Sequence, residues 1–355
     1  EEFFHTFNAL VDQNKQIVSG IITNLLDLLA DLDQKKVAMR DLKPDNLLAA
    51  GDPQRYPAFL RSPGDYSLGI IDVETAVVFK TGEEGKLRQP LLGGTPYYAT
   101  PSHVLPNPVL QRCFGDPGRI LQFQDWQAVL VMIFRSVTGE LLFDRTAQQF
   151  VEIKSKVIQA LKERRPLEGL VEEMSRDYWQ IAVEEFRAGM RGREALLRRI
   201  EADIPPGARR LFLQALRRDA AAVAEAIRRI AADPPHAPSA AGCEQLVKCS
   251  HAQICRYMQE IEFKARAGAV SADSARLRLK FFKRLVNLKA LHERKLQLAA
   301  VLECATARLS AYDLLMFMFN MVLKSMYREE WKPLVEEPAA LTCRPDDELS
   351  LSTTI

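Results

Sequence analysis

The sequence predicts a mostly α-helical protein, a first region with a few short strands followed by an all-helical module. Three observations carry this. Of the 355 residues 47% are apolar and 26% charged, the mixture of a soluble globular chain of one to three domains. Strand-like runs stand at 47–50 and 66–71, separated by a segment rich in Gly and Pro. From Asp125 onward the apolar residues keep the three- and four-residue spacing of helices.

The elements follow in order. Ile17, Ile21, Leu25, Leu28, Leu29 and Leu32 form one stripe, predicting an amphipathic helix over 16–32. A polar stretch, Arg40 to Asn46, separates it from the paired strands and their inserted loop at 51–66. Residues 82–118 are rich in Gly and Pro and have no period, so they are expected as loop with short helices. Asp125 reads as the N-terminal residue of an apolar helix that stops at Gly139. Further helices are expected near 147–163, 168–200, 206–231, 243–266, 272–308 and 311–331, with Leu314, Leu315, Phe317, Met318, Met321 and Val322 as helix core. The expected boundaries are 1–232 for the first region, a Pro-rich linker at 233–242, a helical module at 243–333 and a tail at 334–355.

Composition excludes several classes. The six cysteines are too scattered for the framework of a small secreted domain, and they fit reduced thiols in the cytoplasm. No secretory signal is present, and the start at Glu1 reads as a cut in a longer chain. The most apolar stretch, 309–326, contains Asp313, Asn320 and Lys324, so no transmembrane segment is expected. The net charge of +2 conceals two parts that differ in sign, with residues 1–150 acidic and 151–355 basic.

The segment Met39-Arg40-Asp41-Leu42-Lys43-Pro44-Asp45-Asn46 resembles the catalytic loop of eukaryotic-like protein kinases. Ile70-Ile71-Asp72-Val73-Glu74 is similar to that family's metal-binding loop, and Gly94-Thr95-Pro96-Tyr97-Tyr98-Ala99-Thr100-Pro101-Ser102 to the end of its activation loop. The helix from Asp125 is similar to the large central helix, so the resemblance spans 14–145 in the family's order. It implies the kinase-like large C-terminal lobe and transfer of the ATP γ-phosphoryl group to protein Ser/Thr, with Mg²⁺. By that likeness Asp41 orients the substrate hydroxyl, Lys43 neutralises the transferred phosphoryl and Thr95 braces both. Asn46 and Asp72 hold Mg²⁺, Leu48 lies beneath the adenine, and Arg40 docks a phosphorylated activation loop.

The match departs at named positions. Met39 replaces a His, Val73-Glu74 replaces Phe-Gly, and Ser102 stands where the family has a Glu paired with a distant Arg, leaving that region to packing. No Gly-x-Gly-x-x-Gly loop and no Val-Ala-x-Lys strand occurs, so the small lobe is absent and these residues alone are expected to bind ATP poorly and to be inactive. The competing expectation is a pseudokinase, a non-catalytic interaction protein that displays binding surfaces.

Outside the resemblance, the helix 276–295 carries eight basic residues against Glu293. It predicts a solvated basic face, or a site for an acidic partner or anionic surface. Cys243, Cys249 and Cys255 are spaced by six residues, which turns them to different sides of a helix, so they are expected as thiols and not as metal ligands.

Overall fold

A computed structural model describes residues 2–79, 88–231 and 245–327. Helix α1, Glu2–Lys35, is longer than its stripe predicts and buries Ile22, Leu25, Leu26, Leu29 and Leu32. It ends at Lys36, whose φ of 54° turns the chain into strand β1, Val37–Ala38. Strands β2, Leu47–Gly51, and β3, Tyr66–Ile70, pair antiparallel with Leu47 opposite Ile70 and Gly51 opposite Tyr66, as the apolar runs predict. Strand β4, Val77–Val78, pairs antiparallel with β1.

The insertion between β2 and β3 is not an open loop. Three 3-10 turns, Pro53–Arg55, Ala58–Arg61 and Pro63–Asp65, fold it back on α1. Asn24 donates to the carbonyls of Pro63 and Tyr66, both at 3.2 Å. The Phe59 ring lies so close over Gly51 that a Cβ there would meet it at 2.7 Å. Glycine is therefore a packing requirement at that position.

Helix α2, Asn107–Phe114, precedes helix α3, Pro117–Thr138. The latter starts eight residues before the expected Asp125. Asp116 is the true cap, accepting from the Arg119 N–H at 3.0 Å, with Pro117 at the first helical position. Gly139, at φ 74°, closes its C-terminus as expected. Leu121, Val129, Leu130, Val131 and Ile133 are fully buried on all sides of α3, which makes it the centre of the fold.

Helix α5, Glu168–Arg199, packs beside it and helix α4, Asp144–Lys162, packs on α5, and strand β5, Glu201–Asp203, leads into helix α6, Pro206–Ala231. After helices α7, His251–Arg266, and α8, Ala272–Glu303, come strand β6, Arg308–Ser310, and helix α9, Ala311–Met326. Neither β5 nor β6 is legible in the sequence. They pair antiparallel, and Ser19 and Thr23 of α1 donate to the β5 carbonyls of Glu201 and Asp203.

The described residues divide into two compact units, one within Glu1–Leu211 and Cys304–Leu334, the other within Phe212–Glu303. This differs from the boundaries expected at 232 and 243. Helix α9 packs on α3 and α5, not in the helical module: Phe317 lies 6.1 Å from Trp126, and Phe319 stacks on Phe186 at 3.9 Å between ring centroids. Its Leu314, Leu315, Phe317, Met318, Met321 and Val322 are buried, as expected of helix core. The division cuts α6 because residues near its end, Val223 and Ile227, share a core with Phe281 and Leu285 of α8. The linker 233–242 and the tail 334–355 lie outside the described residues.

In the second unit, the helix expected over 243–266 is interrupted at Cys249 and Ser250. Ser250 and Gln253 form a reciprocal capping box that starts α7 afresh. The basic face of α8 is also narrower than predicted. Lys289 is 3% exposed and donates to the Val247 carbonyl, while Lys295 is buried against Asp219. The exposed cations are Arg276, Arg278, Lys280, Lys283, Arg284 and Arg294. Cys249 and Cys255 are buried thiols, Cys255 lying 3.7 Å from His251 Nε2, and Cys243 is outside the described residues. Among the described residues no helix is long and apolar enough to cross a membrane.

Candidate functional site

The polar stretch after β1 is held by the middle of α3. Arg40 adopts φ 66°, a left-handed conformation that costs a non-glycine residue roughly 1 kcal/mol. The compensation comes from Asp125, which accepts from the Met39 N–H with Oδ2 and from the Arg40 N–H with Oδ1, both at 2.8 Å. Burial pushes the Asp125 carboxyl up to about 7, against the pull of those two donors and of the Arg40 guanidinium. The turn so fixed points the next residue, Asp41, at three donors. Lys43 Nζ reaches Oδ2 at 2.8 Å, while the Thr95 hydroxyl and N–H reach Oδ1 at 2.7 and 3.2 Å. Lys43 also donates to Thr95 Oγ1 at 3.2 Å.

The electrostatics follow from these contacts. Burial alone would raise the Asp41 carboxyl, but the donors from Lys43 and Thr95 outweigh it and hold it below the ordinary carboxylate range. The same hydrogen bond to Asp41 raises the Lys43 ammonium, with the charges of Asp41, Asp72 and Asp45 adding to it. Asp41 is thus a carboxylate at neutral pH beside a fixed positive charge, a pair suited to accept a hydrogen bond from a hydroxyl and orient it next to an anionic group.

Asn46 is placed by the 3-10 turn Pro44–Asn46 and buried. Its Nδ2 donates to the Asp41 carbonyl at 2.8 Å, which commits the amide nitrogen and leaves Oδ1 as the ligand atom. The Ile71 N–H donates to the Asn46 carbonyl at 3.1 Å, so the β2–β3 ladder runs one rung further and Asn46 and Asp72 emerge at the same end of the hairpin. Asp72 is exposed and accepts from the Glu74 N–H at 3.3 Å. Thr75 ties this loop to the residue that follows β1 by donating to the Met39 carbonyl at 2.8 Å.

One carboxylate and one amide oxygen are too few for an all-protein metal cage. Among the described residues no cluster of three His, Cys, Asp or Glu supplies one. The donor set does fit Mg²⁺, which takes one or two protein oxygens and completes its octahedron with phosphate and water oxygens. Leu48, 54% exposed, sits two residues along from Asn46, with Ile71 and Val73 also exposed nearby in the chain.

Arg40 does not fit the role its position implies. It is 2% exposed, and its guanidinium donates to Gln124 Oε1 at 3.0 Å, the Leu91 carbonyl at 2.7 Å and the His103 carbonyl at 2.9 Å. Burial lowers its pKa to about 10 although Asp125 opposes this. The group is therefore enclosed by backbone carbonyls, not presented for docking of a phosphate. Ser102 likewise does more than leave its region to packing, since its Oγ accepts from Gln124 Nε2 at 2.9 Å and bonds Thr100 Oγ1 at 2.7 Å.

Sequence reasoning missed Asp125, Gln124 and His103 as parts of this site. The available signal was two adjacent polar residues, Gln124 and Asp125, inside an apolar run, where burial favours polar groups that have partners. His103 is buried, with Nδ1 accepting from the Thr100 N–H at 3.0 Å. Burial, then the Arg40 charge, lowers its pKa to about 3. The unfolded chain takes up this proton near 6.5 and the folded one does not, so stability present above 6.5 falls as pH drops toward 3, by up to about 1.4 kcal/mol per pH unit. His103→Asn is expected to remove that slope. Urea unfolding between pH 4 and 6.5, followed by the fluorescence of the buried Trp126 and Trp179, measures it; parallel slopes for the two proteins would refute the assignment. No protein-family model and no curated protein matches the chain, so its functional reading rests on the residues themselves.

Proposed function

We propose that the chain carries the phosphoryl-transfer centre of a Ser/Thr protein kinase-like enzyme that uses Mg-ATP and acts on protein Ser/Thr. The observation that supports this best is the convergence of Asp41, Lys43 and Thr95 beside Asn46 and Asp72 at one end of the hairpin. Phosphoryl transfer asks a protein for positioning and charge neutralisation more than for covalent chemistry. In this reading Asp41 orients the substrate hydroxyl and takes its proton, Lys43 balances the charge of the moving phosphoryl, and Thr95 fixes the two side chains against each other. Asn46 Oδ1 and the Asp72 carboxylate would hold Mg²⁺, which supplies neutralisation of the phosphate oxygens. Leu48 offers an apolar surface for the adenine.

No Gly-rich phosphate-covering loop occurs among these residues, so the test belongs to the full-length protein. Labelled γ-phosphate should pass from Mg-ATP to a Ser/Thr-containing protein substrate. Asp72→Asn, which keeps the side-chain volume and the acceptor for the Glu74 N–H, should lower that rate at least ~100-fold. A rate unchanged by Asp72→Asn would sink the reading. A folded full-length protein that transfers no phosphate would instead be a non-catalytic interaction protein.

A further inference from the structure

The segment from Leu91 to His103 carries Thr95, which touches Asp41, and both of its ends meet at one side chain. Arg40 donates to the Leu91 carbonyl with Nη1 and to the His103 carbonyl with Nη2, and the His103 carbonyl also accepts from the Gly93 N–H at 3.1 Å. The orientation of that guanidinium is set from behind by Gln124. This residue is completely buried in α3, and its two polar atoms face opposite duties. Oε1 accepts from Arg40 Nε, while Nε2 donates to Ser102 Oγ, which continues through Thr100 Oγ1 to His103 Nδ1 at 3.1 Å. A phosphate docked on Arg40 would compete for donors already committed to carbonyls, in a place closed to water.

We propose that Gln124 is a positioning residue that, through Arg40 and Ser102, fastens the Leu91–His103 segment over Asp41 without phosphorylation. The consequence for catalysis rests on the phosphotransfer reading: the site is assembled constitutively, and no modified hydroxyl between Asp72 and Pro101 is needed. The fastening itself is independent of that reading.

Two measurements on the full-length protein test it. In phosphatase-treated protein, hydrogen exchange at the Gly93 and Thr95 amides should already be slow, and should not slow further on phosphorylation. Gln124→Met, close in shape but without polar atoms, should speed both amides about 30-fold, the factor that two lost hydrogen bonds imply. Gln124→Glu should restore protection, because its carboxylate still accepts from Arg40 and the Ser102 hydroxyl can turn to donate. If Gln124→Met fails to fold, Ser102→Ala removes only the forward link and should speed exchange at Gly93 by about fivefold. Where phosphate transfer is measurable, kcat should fall in Gln124→Met with KM for ATP within twofold, and return in Gln124→Glu. Protection that appears only after phosphorylation, or exchange in Gln124→Met equal to wild type, would overturn the proposal. Slow exchange in phosphate-free protein that transfers no phosphate would uphold the fastening and remove the enzymatic reading alone.

Discussion

Asp41→Asn is expected to lower phosphate transfer by the full-length protein by ~10²- to 10⁴-fold, the range that removal of a positioned proton acceptor commands. The variant is close to isosteric, and one side-chain atom can still accept from Thr95, so the loop should keep its shape. What it loses is the charge. Lys43 Nζ sits 2.8 Å from Asp41 Oδ2, and in the variant that ammonium would face either a neutral oxygen or an amide NH₂. The Lys43 side chain would then be drawn toward Asp45 and Asp72, whose charges already act on it, and away from the transferred group. Steady-state kinetics separate the two losses. A fall in kcat with KM for ATP unchanged reports proton acceptance, and a rise in KM reports displacement of Lys43. Thr95→Ser, which keeps the hydroxyl bonded to Asp41 and Lys43, should stay within about fivefold of wild type. Equal rates for Asp41→Asn and wild type would dispose of the assignment.

The parts of this site that sequence discloses are those built from consecutive residues. Asp41, Lys43 and Asn46 lie within six positions, and the 3-10 turn at Pro44–Asn46 lets the Asn46 amide reach back to the Asp41 carbonyl, although the aim of Asp41 itself also depends on Asp125 and Thr95. Pairing of 47–51 with 66–70 is legible because both runs are short, apolar and bounded by turn residues, and it delivers Asp72 to Asn46 automatically. Long-range partners are another matter. That Asp125 sits under Met39 and Arg40 depends on α3 beginning at Pro117, and the same Asp can be read as a cap when the Asp116-Pro117 signal is hidden among loop prolines. Arg40 illustrates the limit further. Its place beside Asp41 suggests docking of a phosphate, yet burial by Gln124, Leu91 and His103 turns it into a structural clamp. The amphipathic α9 looks the same whichever core it joins. Only the aromatic fit of Phe317 to Trp126 and of Phe319 to Phe186 assigns it to the first unit.

Asp125→Ala should be among the most destabilising single changes in this chain, because three deficits arise at once. The buried N–H groups of Met39 and Arg40 lose their acceptor, the left-handed turn at Arg40 loses its compensation, and the buried guanidinium loses its nearest counter-charge. Each unmade bond to a charged group costs about 1.5–3 kcal/mol, and stranding a buried charge reaches about 3–5 kcal/mol. These terms overlap, so a total of about 5 kcal/mol is expected, lowering the melting temperature of a unit of this size by roughly 10–20 °C. Asp125→Asn retains one acceptor and should lose about half as much. Combining Asp125→Leu with Arg40→Met removes the stranded charge as well as the carboxylate, and should recover about 2 kcal/mol relative to Asp125→Ala. Phosphate transfer should not recover with it, since the backbone N–H groups at positions 39 and 40 still lack the acceptor that aims Asp41 and the Leu91–His103 segment has lost its clamp. A double variant as unstable as Asp125→Ala would mean that the N–H groups, not the guanidinium, dominate the cost. Activity returning together with stability would show that Asp125 holds the fold without aiming the site.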